Sequence, residues 1–500
     1  TSAETEYTLL ARQHRKPQPV TMQLPPPIVP LAEVALIDEQ AAASGIAIDQ
    51  LMLRAGQRLA EVVDERVPDG AVLVVTGSGN NGGDGWIAAA ELSRAGRQVQ
   101  VWPVSPPRSE LCRWAAERAG AAVTILAEAP NAAPAVIVDA ILGAGVNGPL
   151  RHEVVQVLER LAAFRAPVVC ADAPTGVNTP HALPGSLTVC FQVAKAELVA
   201  DPQVDEFITV DIGIPEDCYL DVQPPCLRRF PSMISDGHKG QHGQVLVIGG
   251  GRFPGALELS ARAALLTGCD LVHAWTADGP PLPPSLVTHR QPGPTLSPAD
   301  PDTLTALLLR TDALLIGPGI GRGPGAPEAA IQAFELARDL DLPVVVDADG
   351  ITALARAIRE MPITETPVII TPHRNEARTL LDADPTPEAI HRFARPDRVV
   401  IRKGKVDLVT NGLRWQRNQR GNPRMAVGGT GDILAGLTTG LLARGASPFD
   451  ACRMALLWET DTADRLWLEQ GPCYGPEEIL AELPASLRYH LQALDCWPPV

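Results

Sequence analysis

The chain has 500 residues, too many for one ordinary hydrophobic core, so its length predicts two or three domains. Hydrophobic residues make up 45% and charged residues 20% of the sequence, as in ordinary globular proteins. A formal net charge of −16 argues against nucleic acids and anionic membranes as partners.

The first 24 residues are polar and rich in proline, and they predict a flexible arm. A candidate helix follows, with Leu36, Ile37, Ala41 and Ile46 among its apolar positions. Strand-like apolar runs then alternate with helical stretches, at 71–77, 99–104, 135–142, 167–174, 186–191 and 207–213. This alternation predicts a parallel sheet covered on both faces, in a Rossmann-like, doubly wound α/β domain over residues 25–222.

A segment rich in proline and arginine at 223–234 suits a linker between domains. A second series of strand-like runs follows at 244–251, 270–276, 313–319, 343–350, 367–373 and 398–404, and helical sequence extends from Gly431 to about Leu468. This series predicts a second α/β sandwich over residues 235–497.

The nine cysteines form no CxxC pair, and several lie in apolar runs, as small buried side chains do in a reducing compartment. No apolar run reaches the roughly 18–20 residues that span a bilayer, and no signal-peptide pattern begins the chain. A cytoplasmic location is therefore expected.

Two glycine-rich segments are the most informative feature, GSGNNGGDG at 77–85 and AVGGTGDILAG at 426–436. Glycine lets backbone N–H groups approach an anion, and a helix that follows directs its positive end at that anion. Each segment carries one acid among its glycines, Asp84 in the first and Asp432 in the second. The sequence therefore predicts two different phosphate-handling sites.

The first segment does not fit the dinucleotide fingerprint, in which GxGxxG is followed by an acid on the next strand, and it is not a Walker loop, which needs Lys followed by Ser or Thr. Its Asn and Asp oxygens suit a hard cation. Asp139 and Asp172 end two further strand-like runs, where doubly wound sheets bind ligands. Each could instead be a helix cap or turn residue, but the Gly143-Ala144-Gly145 loop after Asp139 favours a ligand site.

The second segment places Asp432 at the start of an apolar helix. There a bound phosphoryl group is stabilised, and a carboxylate can take a proton from an attacking hydroxyl. The alternative is a helix cap formed by Thr430 or Asp432. The strings GPGIG at 317–321 and TPHRNE at 371–376 end other strand-like runs and favour a site, in which His373 is a candidate ligand contact.

The strings GSGNNGGDG, DAILGAG with GPL, DAPTG and VAKAEL resemble the NAD(P)H-hydrate epimerase family over nearly the whole first domain. The resemblance implies epimerisation at C6 of the hydrated nicotinamides NADHX and NADPHX, with Asp172 as acid/base and Lys195 near the reacting ring. It also implies a potassium ion held by Asn81, Asp139 and Thr175. The implied substrate-binding residues are Asn80, Asn81, Gly82, Gly83, Asp84, Gly143, Ala144, Gly145, Val146, Asn147, Gly148, Pro149 and Asp172.

This chain departs from that family at two places. It has Thr175 where Ser is usual, which keeps a hydroxyl oxygen, and it has Ala194-Lys195-Ala196-Glu197 where the family has Pro-Lys-Pro-Gly.

A second set, HKGQHGQVLVIGGG, GPGIG, VVDADG, ITPHRNEA, IRKG and GNPRMAVGGTGD, resembles the ADP- or ATP-dependent NAD(P)H-hydrate dehydratase family over residues ~235–470. The resemblance implies a ribokinase-like fold and phosphorylation of the 6-hydroxyl of the S epimer, after which phosphate leaves and NAD(P)H is restored. Asp432 would be the base, and Ala256, Gly319, His373 and Asp432 would contact the hydrate. Lys403, Gly404, Lys405, Val406, Asp407 and Gly431 would hold the nucleotide.

This half also departs from its family. Arg424 and Val427 replace Gly and Thr, and Arg424 could either add a phosphate contact or crowd the loop. Asp407 replaces the Thr of KGxxT, and an acid there would face a nucleotide phosphate unfavourably.

Three functions remain open at this point. The first is a bifunctional repair enzyme that uses potassium, ADP or ATP, and magnesium, and that forms a homo-oligomer. The second is a small-molecule kinase with a non-catalytic dinucleotide-binding front domain. The third is a degenerate dinucleotide sensor, which would bind without turnover.

Overall fold

The computed structural model describes residue 22 and residues 24–143, 149–183, 186–201 and 204–499. The chain forms two compact units, an N-terminal unit from Pro26 to Tyr219 and a C-terminal unit that begins at Leu220. The C-terminal unit also includes Pro25, whose carbonyl oxygen accepts a hydrogen bond from Trp415 Nε1 at 2.8 Å. The flexible arm expected over residues 1–24 lies almost entirely outside the described residues.

The strands of the N-terminal unit are β1 (Ile28–Val29), β2 (Val72–Thr76), β3 (Val99–Pro103), β4 (Thr124–Ile125), β5 (Val136–Ala140), β6 (Val168–Ala171), β7 (Ser186–Phe191), β8 (Ala194–Lys195) and β9 (Val204–Val210). Its helices are α1 (Leu31–Ala43), α2 (Ile48–Arg66), α3 (Asn80–Arg94), α4 (Glu110–Ala119), α5 (His152–Ala162) and α6 (Ala196–Ala200), and the short helix α7 (Asp217–Leu220) ends at the unit boundary.

Seven strands of this unit form one parallel sheet in the order β4-β3-β2-β5-β6-β7-β9. The order reverses between β2 and β5, so the sheet is doubly wound and the loops after these two strands diverge. β2 and β5 are buried along their whole length, because the unit has apolar clusters that draw on both faces of the sheet. This topology opens a ligand crevice at the carboxyl ends of β2 and β5.

The strands of the C-terminal unit are β10 (Gln244–Ile248), β11 (Leu271–Thr276), β12 (Val287–Arg290), β13 (Ala313–Ile316), β14 (Val344–Val346), β15 (Val368–Ile370), β16 (Arg398–Arg402), β17 (Asp407–Thr410) and β18 (Trp415–Asn418). Its helices are α8 (Pro254–Leu266), α9 (Pro301–Leu308), α10 (Ala326–Asp339), α11 (Ala348–Glu360), α12 (Arg374–Leu381), α13 (Pro387–Phe393), α14 (Thr430–Ala443), α15 (Pro448–Gln470) and α16 (Pro476–Ala493).

The C-terminal sheet has nine strands in the order β12-β11-β10-β13-β14-β15-β16-β17-β18. The pairs from β12 to β16 are parallel, and β17 and β18 add an antiparallel edge. α14 is buried over most of its surface because it packs on α8 and α15 and lies over the central strands. The fold is the predicted second α/β sandwich, with α14 at its centre.

The segment 223–234, expected as a linker, is packed instead. It contains a 3₁₀ helix at Pro224–Arg229, and Cys226 and Leu227 are buried in the core of the C-terminal unit. Apolar side chains among the prolines draw the segment onto that core. In the part of the chain that the structure describes, no helix combines the length and apolar character required to cross a bilayer.

Candidate functional sites

The glycine-rich segment at 77–85 forms a tight turn from β2 directly into α3. The helix begins at Asn80, after Gly79, so the amides of its first turn lack helical acceptors and can bind an anion. A Cβ atom on Gly77 would overlap the carbonyl oxygen of Ile141, and one on Gly82 would overlap the carbonyl oxygen of Gly77. Both positions therefore require glycine.

Asp139 on β5 and Thr175 after β6 form a fully buried pair. Thr175 donates from its hydroxyl to Asp139 Oδ1 at 2.7 Å and from its backbone N–H to Oδ2 at 2.8 Å. Burial raises the pKa of Asp139, although hydrogen bonds from Thr175, Ile141 and Cys170 oppose the rise. The two side chains that the sequence assigned to one ion site are in direct contact.

Asn81, the third side chain of that site, lies in the first turn of α3. In the described part of the chain its buried Nδ2 atom has no hydrogen-bond partner. Its Oδ1 atom would lie 3.0 Å from a Cβ atom on Gly143, so the side chain packs against the loop that follows β5. The substrate residues expected at 144–148 lie outside the described residues, whereas Gly143 and Pro149 flank them.

The three side chains of this site fit an alkali cation. Asn81, Asp139 and Thr175 offer amide, carboxylate and hydroxyl oxygens and neither sulfur nor imidazole, which suits a hard ion. The groups that oppose the effect of burial on the pKa of Asp139 are uncharged hydrogen-bond donors. A bound cation would supply the positive charge that a buried carboxylate needs.

Asp172 follows β6 and forms an ion pair with Lys195 on β8. The Asp172 backbone has φ of 63°, a left-handed conformation that L-residues seldom adopt. Its Oδ1 atom also accepts a hydrogen bond from the Phe191 N–H at 3.0 Å, and Lys195 is fully buried. The structure thus brings together the two side chains that the sequence placed near the reacting ring.

Two further carboxyls interact electrostatically with this ion pair, Asp84 on α3 and Asp38 on α1. Burial raises the pKa of Asp84 well above its ordinary value, and the charges of Asp172 and Asp38 raise it further. Burial, followed by the charge of Asp172, raises the pKa of Asp38 to about 6, while Lys195 opposes the rise. Sequence reasoning missed Asp38, because its helix carries no glycine motif and only the fold brings it to this cluster.

In the C-terminal unit, Asp432 lies in the first turn of α14, which begins at Thr430. The preceding Gly429 has φ of 109°, which favours glycine. Burial raises the pKa of Asp432 to about 7; Asp347 and Glu376 add to the rise, and Lys403 opposes it. A carboxyl with this pKa can accept a proton near neutral pH.

Lys403, expected at the nucleotide, forms an ion pair with Asp347 at the end of β14, with Nζ 2.8 Å from Oδ1. The hydroxyl of Thr371 donates to the same Oδ1 atom at 2.7 Å. Burial lowers the pKa of Lys403, but the charges of Asp347, Glu376 and Asp432 outweigh burial and raise it. Asp347 and Glu376 had not been named as site residues, although both follow strands within the recognised strings.

Two glycines with positive φ determine how the neighbouring loops meet. Gly317 follows β13 with φ of 125°, and a Cβ atom on it would overlap the carbonyl oxygen of Asp347. Gly319 has φ of 66°, and a Cβ atom there would lie 3.2 Å from the Cβ atom of Ala256. Ala256 and Gly319, two of the four residues expected to contact the hydrate, are therefore neighbours. Phe253, which is 54% exposed, stands beside them.

His373 caps α12. Its Nδ1 atom accepts hydrogen bonds from the N–H groups of Asn375 and Glu376 at 3.1 and 3.2 Å, and its Nε2 atom lies 3.3 Å from the Glu376 carboxylate. The side chain is about half exposed. The structure gives His373 a capping role, and its exposed edge is what remains available to a ligand.

The expected nucleotide segment, Lys403 to Asp407, is the turn between β16 and β17. Asp407 accepts a hydrogen bond from the Gly404 N–H at 2.9 Å and another from Asn418 Nδ2 at 3.1 Å. Burial raises its pKa, with hydrogen bonds from Gly404 and Asn418 opposing the rise. The acid expected to face a phosphate is instead used to close the turn.

Arg424, which replaces a glycine of the family string, lies in a 3₁₀ turn at Pro423–Ala426. Its Nε atom donates to the carbonyl oxygen of Tyr474 at 2.7 Å. Arg424 is thus hydrogen-bonded to the protein's own backbone, a contact that the sequence did not predict.

Comparison with known proteins matches both units. Residues 245–485 match the family described as NAD(P)H-hydrate dehydratase, and residues 48–197 match the family described as YjeF-related protein N-terminus. The chain is 33% identical to the bifunctional NAD(P)H-hydrate repair enzyme Nnr of Methanothermobacter thermautotrophicus, over 85% of this chain and 88% of that one. The same protein of Hyperthermus butylicus is 33% identical, over 93% of each chain.

Among solved structures, the C-terminal half is similar to an ADP/ATP-dependent NAD(P)H-hydrate dehydratase from Bacillus subtilis that was co-crystallised with ATP and Mg²⁺. The identity is 25%, the match covers 54% of this chain and 99% of that one, and the TM-score is 0.46.

Proposed function

Because the chain belongs to the family of bifunctional NAD(P)H-hydrate repair enzymes, we propose that its N-terminal unit interconverts the R and S epimers of NADHX and NADPHX, and that its C-terminal unit dehydrates the S epimer. One arrangement, present in both units, carries the proposal. In each unit an acid lies near a lysine and a glycine-rich helix start, Asp172 with Lys195 and Asp432 with Lys403. The two reactions are sequential, since only one epimer is dehydrated.

In the N-terminal unit, the free amides at the start of α3 bind the pyrophosphate of the hydrated dinucleotide. Asp84 and the residues from Gly143 to Pro149 would contact the same dinucleotide. Asp172 exchanges protons at the C6 centre, and its ion pair with Lys195 fixes the carboxylate beside the ring.

A potassium ion held by Asn81, Asp139 and Thr175 is part of this proposal. When bound, the ion would supply a fixed positive charge beside the Asp139 carboxylate. The protein's own part is structural: Thr175 bonds to both oxygens of Asp139, and the buried Asn81 amide has an atom without a partner in the described chain.

In the C-terminal unit, Asp432 takes the proton of the 6-hydroxyl while this oxygen attacks the terminal phosphoryl group of ADP or ATP. Lys403 and the backbone of the 403–407 turn bind the nucleotide phosphates, together with the Gly431 amide at the start of α14. Ala256, Gly319 and the exposed edge of His373 contact the hydrate. Phosphate then leaves C6, and loss of a proton from C5 to solvent restores the ring double bond.

Magnesium would arrive with the nucleotide. In the described ranges no group of three acidic, histidine or cysteine side chains is arranged to hold a metal. Mg²⁺ commonly binds through substrate phosphates and one or two carboxylates. We also propose a cytoplasmic location, supported by free cysteines that are mostly buried, and a homo-oligomer, which light scattering would test.

One experiment separates the two activities. The full chain is incubated with mixed R and S NADPHX and either ADP or ATP, and absorbance at the NADPH band is followed. Complete recovery of the absorbance requires both units. A plateau at the amount of S epimer initially present means that the chain dehydrates without epimerising. Recovery of the NADPH absorbance when both nucleotides are left out would contradict the proposal. A stable phosphorylated product would contradict it as well. The comparison of ADP with ATP identifies the phosphoryl donor.

A further inference from the structure

Helix α1 is attached to the segment that carries Lys195. The short strand β1, which leads into α1, pairs in parallel with β8, and Val29 is the register partner of Lys195. At the start of α1 the Leu31 N–H donates to both carboxylate oxygens of Glu197, at 3.1 and 2.9 Å. Two independent contacts therefore fix α1 beside the Asp172–Lys195 ion pair.

Glu197 is one of the residues by which this chain departs from its family string, where a glycine stands. A carboxylate at the first turn of a helix accepts free N–H groups and interacts favourably with the helix dipole. Glu197 lies two residues after Lys195, so the side chain that caps α1 and the ammonium that pairs with Asp172 belong to one short segment. The position of α1 is thus coupled to the position of Lys195.

The next question is which side chain α1 directs at the site. Ile37 and Ala41 are buried in the apolar core of the unit, whereas Asp38 keeps an exposed surface although neighbouring groups crowd its carboxylate. Asp38 is influenced by Asp172 from the end of β6 and by Lys195 on β8, and it acts in turn on Asp84 on α3. The other acids of its own helix are Glu33 and Glu39.

We propose that Asp38 is a second acid/base group of the epimerase site and that Glu197 is the positioning residue that holds its helix there. The proposal rests on the epimerase function proposed above and adds two residues to it. Asp38 is the most exposed member of the carboxyl cluster, whereas Asp172 is tied to a buried lysine. Asp38 can therefore exchange protons with water in every turnover.

The step is balanced without an oxidant or reductant. The Asp38 carboxylic acid donates its proton to the C6 hydroxyl, the C6–O bond breaks, and water leaves while the ring nitrogen lone pair forms the N1=C6 double bond. Water then adds to the opposite face of C6 and gives a proton to the Asp172 carboxylate, and the N1=C6 electrons return to nitrogen. A proton passes from Asp172 through solvent to Asp38, which restores both groups.

The role of Asp38 as an acid fixes the direction of the pH dependence. Its pKa of about 6 means that the acid form is lost as the pH rises through about 6. We therefore expect kcat/KM for epimerisation to fall above that pH, in a limb that belongs to Asp38.

The test uses the full chain and pure R-NADPHX with the nucleotide that supports dehydration. We expect Asp38→Asn to lower kcat for epimerisation about 10²-fold with little change in KM and to remove the limb near pH 6. Asp38→Glu should restore part of the rate. Glu39→Gln, which removes a charge from the adjacent position of the same helix, should keep both rate and pH profile. The melting transition of the N-terminal unit reports whether that unit is folded in each variant, and dehydration of S-NADPHX serves as the control for the C-terminal unit.

Glu197 is tested in parallel. Glu197→Gln keeps an acceptor for the Leu31 N–H and should retain most of the rate of epimerisation. Glu197→Ala should lower kcat. In the double variant, Glu197→Ala should cause little further loss beyond that of Asp38→Asn. An Asp38→Asn variant with an unchanged rate and pH limb would overturn the proposal. If the unmodified chain fails to convert R-NADPHX at all, the epimerase function itself is wrong, which is a distinguishable result.

Discussion

The ammonium of Lys403 lies 2.8 Å from a carboxylate oxygen of Asp347, and it also lies close to the start of α14, 3.0 Å from where a Cβ atom on Gly431 would be. Lys403 thus pairs with the buried acid that follows β14, and it also places a positive charge where the nucleotide phosphates are expected. We therefore expect stability and nucleotide binding to be coupled at this residue.

Lys403→Met should therefore destabilise the C-terminal unit as well as weaken nucleotide binding. Removing the ammonium leaves the carboxylate of Asp347, whose side chain is only 2% exposed, without its charge partner, at a cost of about 3 kcal/mol. The double variant Lys403→Met with Asp347→Asn should recover stability in urea but not nucleotide affinity. Equal losses of stability in the single and double variants would contradict this coupling.

Asp432→Asn should lose about 10²–10⁴-fold in dehydration of S-NADPHX, as expected for removal of a general base. Nucleotide binding should persist, and folding should survive because Asn still suits the first turn of a helix. Single-turnover dehydration and nucleotide affinity are measured on one preparation, with epimerisation as the internal control. Dehydration near the original rate would make Asp432 a structural residue.

The pH dependence of the same carboxyl has a definite sign. Because the folded pKa of Asp432 is about 7, dehydration should increase as the pH rises through about 7, where the base form appears. Stability has the opposite trend: a raised folded pKa stabilises the protein below the unfolded pKa, and this contribution is lost as the pH rises through about 7. Asp432→Asn should therefore raise the melting temperature at pH 8 more than at pH 5. A variant with no such difference would argue against a raised pKa.

Asp172→Ala should abolish interconversion of the epimers and leave dehydration of S-NADPHX intact. It also leaves Lys195 buried without its partner, so we expect a lower melting temperature for the N-terminal unit. Asp172→Ala with Lys195→Met should recover stability without recovering epimerisation. Normal epimerisation by Asp172→Ala would remove this residue from the mechanism.

Potassium should raise the melting temperature of the N-terminal unit relative to an equal concentration of lithium, because Asp139 needs a cation of suitable size. Asp139→Asn should eliminate the difference between the two salts. Crystals grown in a thallium or rubidium salt should show an anomalous peak bounded by Asn81, Asp139 and Thr175. Zinc at that position, or equal stabilisation by both salts in the unmodified chain, would count against the assignment.

The central strands could be predicted because each is a continuous apolar run, as in the fully buried β2 and β5. The strands that were missed have other patterns. β12 is largely exposed, and β18 reads WQRN, whose buried polar side chains carry no alternation. Helix α16 was also missed; it contains Pro484, a residue that ordinarily ends a helix.

Some site residues could likewise be identified from the sequence, and others could not. Asp139 and Asp432 could be identified from glycines next to them in the sequence. Asp38 and Asp347 could not be assigned, since each acquires its role from a lysine more than fifty residues away, Lys195 and Lys403. Local pattern identifies loops that bind phosphate, but not the charges that the fold brings to them.

Gly317 lies so close to the backbone of Asp347 that a Cβ atom would not fit between them, and this constrains the grafting of loops between related enzymes. A transplanted substrate loop that carried any side chain at position 317 would displace the turn at Asp347, and with it the anchor of Lys403. The loop proposed for the hydrate and the lysine proposed for the nucleotide should therefore be exchanged together. A chimaera should take its donor sequence from 317 through 403 together, or leave both ends as they are.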